Sequence, residues 1–165
     1  MTFTTREVVE RLVEVIEGGE GLAESLEQLK DEYGLEPERP EPAKVRVLRS
    51  SADLAERALG SRYPALWVYC ERIRNRGSEK LRRFSGEISL CVEVLVSQDR
   101  LEGIGDRLQY YCDALRDVIE RKSGCIGAGL YLSSEYEVQY EPVKKGGSQF
   151  RQTARLGCTV IVNRT

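Results

Sequence analysis

Two hydrophobic periods divide the chain into predicted helices and strands. Apolar residues spaced three or four positions apart predict helices around 8–16, 22–33, 54–59 and 101–119. Alternating or continuous apolar residues predict strands at 44–49, 64–73, 87–96, 126–141 and 152–163. The clearest alternation lies in 87–96, where Ile88, Leu90, Val92, Val94 and Val96 share one face. The elements therefore follow the order helices, strand–strand, long helix, strand–strand.

This order predicts an α+β fold. We expect a mainly antiparallel four-stranded sheet from two hairpins, packed against the long helix, with additional N-terminal helices. Thr4 and Glu7 have the spacing of a capping box for the first helix, and Asp99 and Glu102 that of a second box before the long helix. The glycine-rich segment 124–129 predicts a tight turn from the long helix into the next strand, and 142–149 a flexible basic loop.

Charge is distributed unevenly along the chain. The 165 residues have a formal net charge of −2, but residues 1–42 contain 12 acidic and 4 basic residues. Residues 35–42 hold three prolines, which favour a stiff linker or arm. We therefore expect two parts, an acidic helical N-terminal extension at 1–42 and an α+β body at 43–165. The extension has a net charge of −8 and the body, with 21 basic and 15 acidic residues, one of +6, which suggests charge-complementary packing between subunits.

Basic side chains are concentrated at 72–83, with a second group in the loop at 142–149. Such segments can bind nucleic acid, form solvated loops or face an acidic protein. Glu135, Glu137 and Glu141 alternate along one predicted strand. A solvated sheet face, a salt-bridged subunit contact and a divalent-cation site are all compatible with that acidic row.

The composition argues against an enzyme. Histidine is absent, which removes the usual proton shuttle and His-based nucleophile and metal systems. The five cysteines form no C-x-x-C pair and are typical of reduced core thiols. Neither of the common glycine-rich phosphate motifs occurs. We expect no catalytic residue, cofactor or metal site, and an enzyme using carboxylates such as Glu135 and Glu137 is the alternative.

Membrane insertion and export are also not expected. No apolar run approaches the roughly 18 residues that cross a bilayer. The first residues, Met-Thr-Phe-Thr-Thr-Arg, lack the basic-then-apolar order of a signal peptide.

Residues 64–163 combine Pro64–Tyr69, the alternating Ile88–Val96, a long helix, the loop Glu141–Gly147 and the final Cys158–Val162. In this combination the chain resembles the tail terminator (tail completion or neck) proteins of long-tailed bacteriophages. The resemblance implies a non-catalytic virion subunit of the neck or tail, assembled in the host cytoplasm. It also implies a homohexameric ring that caps the tail tube protein and joins the tail to the head–tail connector (stopper) protein.

The resemblance implies that the assembly contacts lie in the two basic segments. This assignment is made from matching elements and not from matching motif residues. The candidate interface residues are Arg72, Arg74, Arg76, Lys80, Arg82, Arg83, Lys144, Lys145 and Gln149. A related head–tail joining subunit would share this architecture. The alternative from a different class is a nucleic-acid-binding α+β module that uses the basic segment 72–83 on phosphates, but no aromatic platform accompanies it, and we expect no specific nucleic-acid contact.

Overall fold

A computed structural model of the protein describes residues 4–34, 44–47, 63–77 and 84–164. Within these residues the chain forms three helices, α1 (Thr5–Glu17), α2 (Leu22–Tyr33) and α3 (Ile104–Lys122). The strands are β1 (Lys44–Val47), β2 (Ala65–Asn75), β3 (Phe84–Gln98), β4 (Gly124–Gly127), β5 (Leu130–Tyr140), β6 (Lys144–Gly146) and β7 (Gln149–Arg164). The predicted α+β class is confirmed. The Pro-rich segment 35–42, the predicted helix at 54–59 and the residues 78–83 lie outside the described ranges.

The described strands form one sheet in the order β1-β2-β3-β7-β5-β4, with β6 paired to β7. β1 runs parallel to β2, and the other pairs are antiparallel. The mainly antiparallel character is confirmed, whereas the predicted count of four strands is wrong. The four long predicted strands correspond to β2, β3, β5 and β7, and β1, β4 and β6 extend the sheet around them.

A glycine turn divides the strand predicted at 126–141. Gly127, Ala128 and Gly129 reverse the chain, and Gly129 has a positive φ of 73°, which a side chain would disfavour. Gly124–Gly127 therefore pairs with β5 as β4 instead of forming only a turn. The alternating pattern continues through both strands, so the hydrophobic period alone did not indicate the reversal.

The segment predicted as a flexible basic loop contains a short hairpin. Lys144 pairs with Arg151 and Gly146 with Gln149, and Gly147 takes the turn with a φ of 62°. The prediction of a flexible loop is wrong for Lys144–Gly146, because these three residues pair with the start of β7 as strand β6.

The hydrophobic core lies between the helices and one face of the sheet, here called the inner face. β3 contributes its apolar row, of which Ile88, Leu90, Val92 and Val94 are all fully buried. α3 covers the row with a stripe that includes Leu108, and α1 and α2 bury their own apolar residues in the same cluster. The described helices of the acidic extension thus pack on the body of the same chain. The division into 1–42 and 43–165 stays a prediction.

Polar contacts also fasten α2 to α3. The buried Ser25 hydroxyl donates to Asp117 Oδ2 at 2.5 Å and accepts from Arg121 Nη2 at 2.6 Å. The buried Tyr110 hydroxyl donates to the Leu26 carbonyl. Because the Ser25 and Tyr110 hydroxyls are removed from water, their hydrogen bonds fix how the two helices face each other.

The two predicted helix starts have different outcomes. Thr4 Oγ1 accepts a hydrogen bond from the Glu7 backbone N–H at 3.1 Å, so the predicted Thr4 cap is confirmed. The second capping box is wrong, since α3 begins after Gly103, which has a φ of 77° and gives no side-chain cap. The Gln98 amide instead holds the preceding turn, donating to the carbonyls of Arg100 and Glu102, each at 2.7 Å.

Candidate assembly surface

The first basic segment lies on the outer half of β2. From Glu71 to Asn75 every residue of this strand is exposed. Arg72 and Arg74 pair across with Ser89 and Glu87 of β3, which places both arginines on the outer face of the sheet, opposite the helices. Arg76 forms an ion pair with Glu87. Lys80, Arg82 and Arg83 lie outside the described residues.

The second basic segment lies on the β6–β7 hairpin. Lys144 is exposed and forms an ion pair with Glu141 at 3.5 Å. The Lys145 ammonium lies 5.6 Å from the centre of the Phe150 ring. Gln149 begins β7, opposite Gly146. Each lysine of the hairpin therefore contacts a side chain of the same subunit, Glu141 for Lys144 and Phe150 for Lys145.

The structure does not bring the two basic segments together. Glu87 of β3 lies beside Arg74, whereas Gln98, at the other end of β3, lies beside Phe150. The two positions are eleven residue steps apart along the extended strand, or about 36 Å at roughly 3.3 Å per step. The described candidate interface residues thus form two surfaces at opposite ends of the sheet.

Two long strands leave part of an edge without a strand partner among the described residues. β1 pairs with residues 65–68 of β2, which leaves 69–75 open on that side. At the opposite edge, β4 pairs with Leu130–Leu132, which leaves residues 133–140 of β5 open. Open edges present backbone N–H and C=O groups that can pair with another chain.

A polar network that the sequence analysis missed lies on the outer face. Glu93 is only 4% exposed, although it sits on the face away from the helices. It accepts a hydrogen bond from the Tyr69 hydroxyl and lies 3.3 Å from Arg155 Nε. Arg155 also donates to the Tyr69 hydroxyl at 2.7 Å and to Glu71 at 3.2 Å. Four side chains from β2, β3 and β7 are therefore linked across the sheet.

The electrostatics of this network favour a fixed structure over chemistry. Burial, together with the hydrogen bond to Glu93, raises the pKa of Tyr69 and keeps its hydroxyl protonated. The hydrogen bond with Tyr69 raises the pKa of Arg155, which stays charged. A sequence signal was available, because the continuous apolar run 65–69 indicates a strand buried on both faces. Trp67, next to Glu93 in the ladder, is indeed 1% exposed.

A shallow groove crosses the outer face from β2 to β5. Its floor includes Ser89, Gly157 and Thr159, and its two ends carry Glu71 with Arg72 and Glu135 with Glu137. Glu135 and Glu137 of the predicted acidic row are exposed, whereas Glu141 faces Lys144. In the part of the chain that the structure describes, no three His, Cys, Asp or Glu residues are placed to hold a metal ion.

The cysteines are all free thiols in the structure. Cys91, Cys112 and Cys158 are buried, as predicted for core thiols, whereas Cys70 is half-buried and Cys125 is exposed. Burial raises the pKa of Cys112 and Cys158 to about 12, so both stay protonated at neutral pH.

Neither a protein-family model nor a curated protein matches the chain. No helix in the described ranges is long and apolar enough to cross a membrane.

Proposed function

We propose that this protein is a structural subunit that closes into a ring with copies of itself, as a tail terminator of a long-tailed bacteriophage. In this proposal the ring caps the tail tube and joins the tail to the head–tail connector. The subunit acts in the neck of the virion, after assembly in the host cytoplasm, and performs no catalysis. The six copies and the virion location follow from the sequence resemblance.

The observation that carries the proposal is the pair of open edges on opposite sides of one sheet. A closed ring is built from head-to-tail contacts, in which one surface of a subunit meets a different surface of the next. The open parts of β2 and β5 are two such surfaces, and both are free among the described residues. Lateral joining along them leaves both ends of the strands uncovered.

Those two ends carry the basic segments, which supports two further contacts. One end holds the last part of β2 with Arg72 and Arg74, and the other holds Lys144 and Lys145. A subunit between a tail tube and a connector needs one contact surface above and one below. The separation of about 36 Å along β3 fits that requirement better than one continuous cationic footprint for nucleic acid.

The exposure of Arg72 and Arg74 on one strand face favours nucleic-acid binding as a second candidate function. Phosphate contacts by these side chains would make affinity fall steeply with salt. A titration with double-stranded and single-stranded DNA at two salt concentrations tests it. We expect no salt-sensitive binding from the wild-type protein, and tight binding with a steep salt slope would favour this candidate instead.

The experiment for the ring is the mass in solution, followed by negative-stain imaging. Six copies of 18.7 kDa give 6 × 18.7, or about 112 kDa. We expect an assembly of that size with a central opening, measured by light scattering over a wide concentration range. A strict monomer at every concentration, with or without purified tail tubes, would refute the ring.

A further inference from the structure

The two open edges carry opposite charge on the same face of the sheet. On β2, Arg72 and Arg74 lie on the outer face, and the charge of Glu71 in the same open part is paired with Arg155 at 3.2 Å. On β5, Glu137 pairs with Gly157, which in turn pairs with Cys91, so Glu137 lies on the outer face as well. Glu135 lines the same groove. The open part of β5, residues 133–140, contains these two glutamates and no basic residue.

The inner face carries apolar side chains at the same two edges. Ile73 pairs with the buried Ile88, so it points to the helix side, yet it is 48% exposed. Tyr140 is 45% exposed at the end of β5, and Val138 is half-buried beside it. Both edges therefore combine charge on one face with exposed apolar surface on the other, and their charges have opposite sign.

Strand direction permits the two edges to join. β2 runs antiparallel to β3, and β5 and β3 both run antiparallel to β7, so β2 and β5 run in opposite directions within one subunit. All copies in a ring have the same orientation relative to its axis. When β5 of one copy lies beside β2 of the next, the two strands are antiparallel and their outer faces coincide.

We propose that the β5 edge of one copy pairs with the β2 edge of the next, so that Glu135 and Glu137 face Arg72 and Arg74 across the subunit boundary. The inference rests on the proposed ring and names its lateral contact. Ile73 is covered by the apolar residues of the neighbouring β5 on the inner face. Pairing of like edges is disfavoured, because it would set arginine against arginine or glutamate against glutamate.

Charge reversal in two variants of the full chain tests this contact. One variant carries Arg72→Glu with Arg74→Glu, and the other carries Glu135→Arg with Glu137→Arg. Each alone has two edges of like sign, so we expect both to remain at 18.7 kDa under conditions in which the wild-type protein assembles. A 1:1 mixture has a complementary pair at every boundary, and we expect it to regain the assembled mass in alternating rings.

The mixture also separates a broken contact from a misfolded chain, because a misfolded variant cannot be rescued by another. The matched control is Arg6→Glu with Arg11→Glu, two exposed arginines on α1, which should assemble as the wild-type protein does. If both edge variants still assemble alone, or if a mixture of variants that keep the circular dichroism spectrum of the wild-type protein stays monomeric, the lateral contact is refuted while the wild-type ring stands. A monomeric wild-type protein would instead refute the proposed function itself.

Discussion

The Glu93–Arg155 pair offers a direct test of how the outer face is stabilised. The Glu93 side chain is 5% exposed, whereas Arg155 is 37% exposed. Arg155→Met removes the cation beside the buried Glu93 carboxylate. The carboxylate then keeps its hydrogen bond from the neutral Tyr69 hydroxyl. Removing one partner of a fully buried pair costs about 3–5 kcal/mol. Because solvent reaches Arg155, we expect a smaller loss of about 2–3 kcal/mol in the free energy of unfolding.

Urea unfolding followed by far-UV circular dichroism measures this loss. With a slope of about 2 kcal/mol per molar urea, the midpoint should fall by about 1 M. The double variant Arg155→Met with Glu93→Gln removes the charge as well, so its cost should be smaller than the sum of the single costs by about 1–2 kcal/mol. One protein concentration must be used throughout, because self-association would add to the measured stability.

Arg6→Met is the matched control, because Arg6 forms an exposed ion pair with Glu10 on α1. Such a pair contributes about 0.5 kcal/mol or less. Two results would show that the interaction of Glu93 with Arg155 does not stabilise the outer face. In the first, Arg155→Met lowers the free energy of unfolding as little as this control does. In the second, the losses from the substitutions at Arg155 and Glu93 are additive.

Three further predictions concern the ends of elements, the sheet and the buried thiols. Thr4→Ala removes the side-chain acceptor at the start of α1 and should lower the free energy of unfolding by about 1 kcal/mol in urea titrations. Gly86→Ala would place a Cβ 1.9 Å from the Arg74 carbonyl oxygen, so we expect a loss of about 1–3 kcal/mol by the same assay. Cys112 and Cys158 have pKa values raised by burial from 9.0 to about 12, so their contribution to stability is complete below pH 9 and declines above it. Between pH 9 and pH 10 the free energy of unfolding should fall by about 1 kcal/mol for each of these two thiols, and at higher pH the slope approaches about 1.4 kcal/mol per pH unit for each.

Each of these predictions has a control within the chain. Thr4→Ser keeps the hydroxyl and should keep the stability, and an equal loss for both Thr4 variants would contradict a capping role. Gly157→Ala places its Cβ 4.0 Å from the nearest atom, so it should not destabilise, whereas equal effects at both glycines would exclude a steric cause. Cys112→Ala should reduce the alkaline slope by the share of one thiol, because Cys91 and the buried tyrosines, whose pKa values burial also raises, continue to contribute. An unchanged slope would show that the Cys112 thiol does not contribute.

The helices and the central strand could be predicted from the sequence because their patterns are local. The stripe of α1 and the alternation in β3 place Leu12 and Val92 in the core, and both are fully buried. The Thr4 cap depends on contacts within one turn, and it too was predicted correctly. Periodicity and capping involve residues close together in the chain, so one sequence suffices to find them.

Tertiary structure alone decided the strand order and the placement of charge. β7, the last strand, lies between β3 and β5, so contacts between residues far apart in the chain set the order. The burial of Glu93 depends on Arg155 and Tyr69, which come from two other strands. The two basic segments look equivalent in the sequence, yet the antiparallel register of β3 and β7 places them at opposite ends of the sheet. A local pattern specifies which residues face the core, but the pairing of distant strands determines which surfaces a subunit can offer to its neighbours.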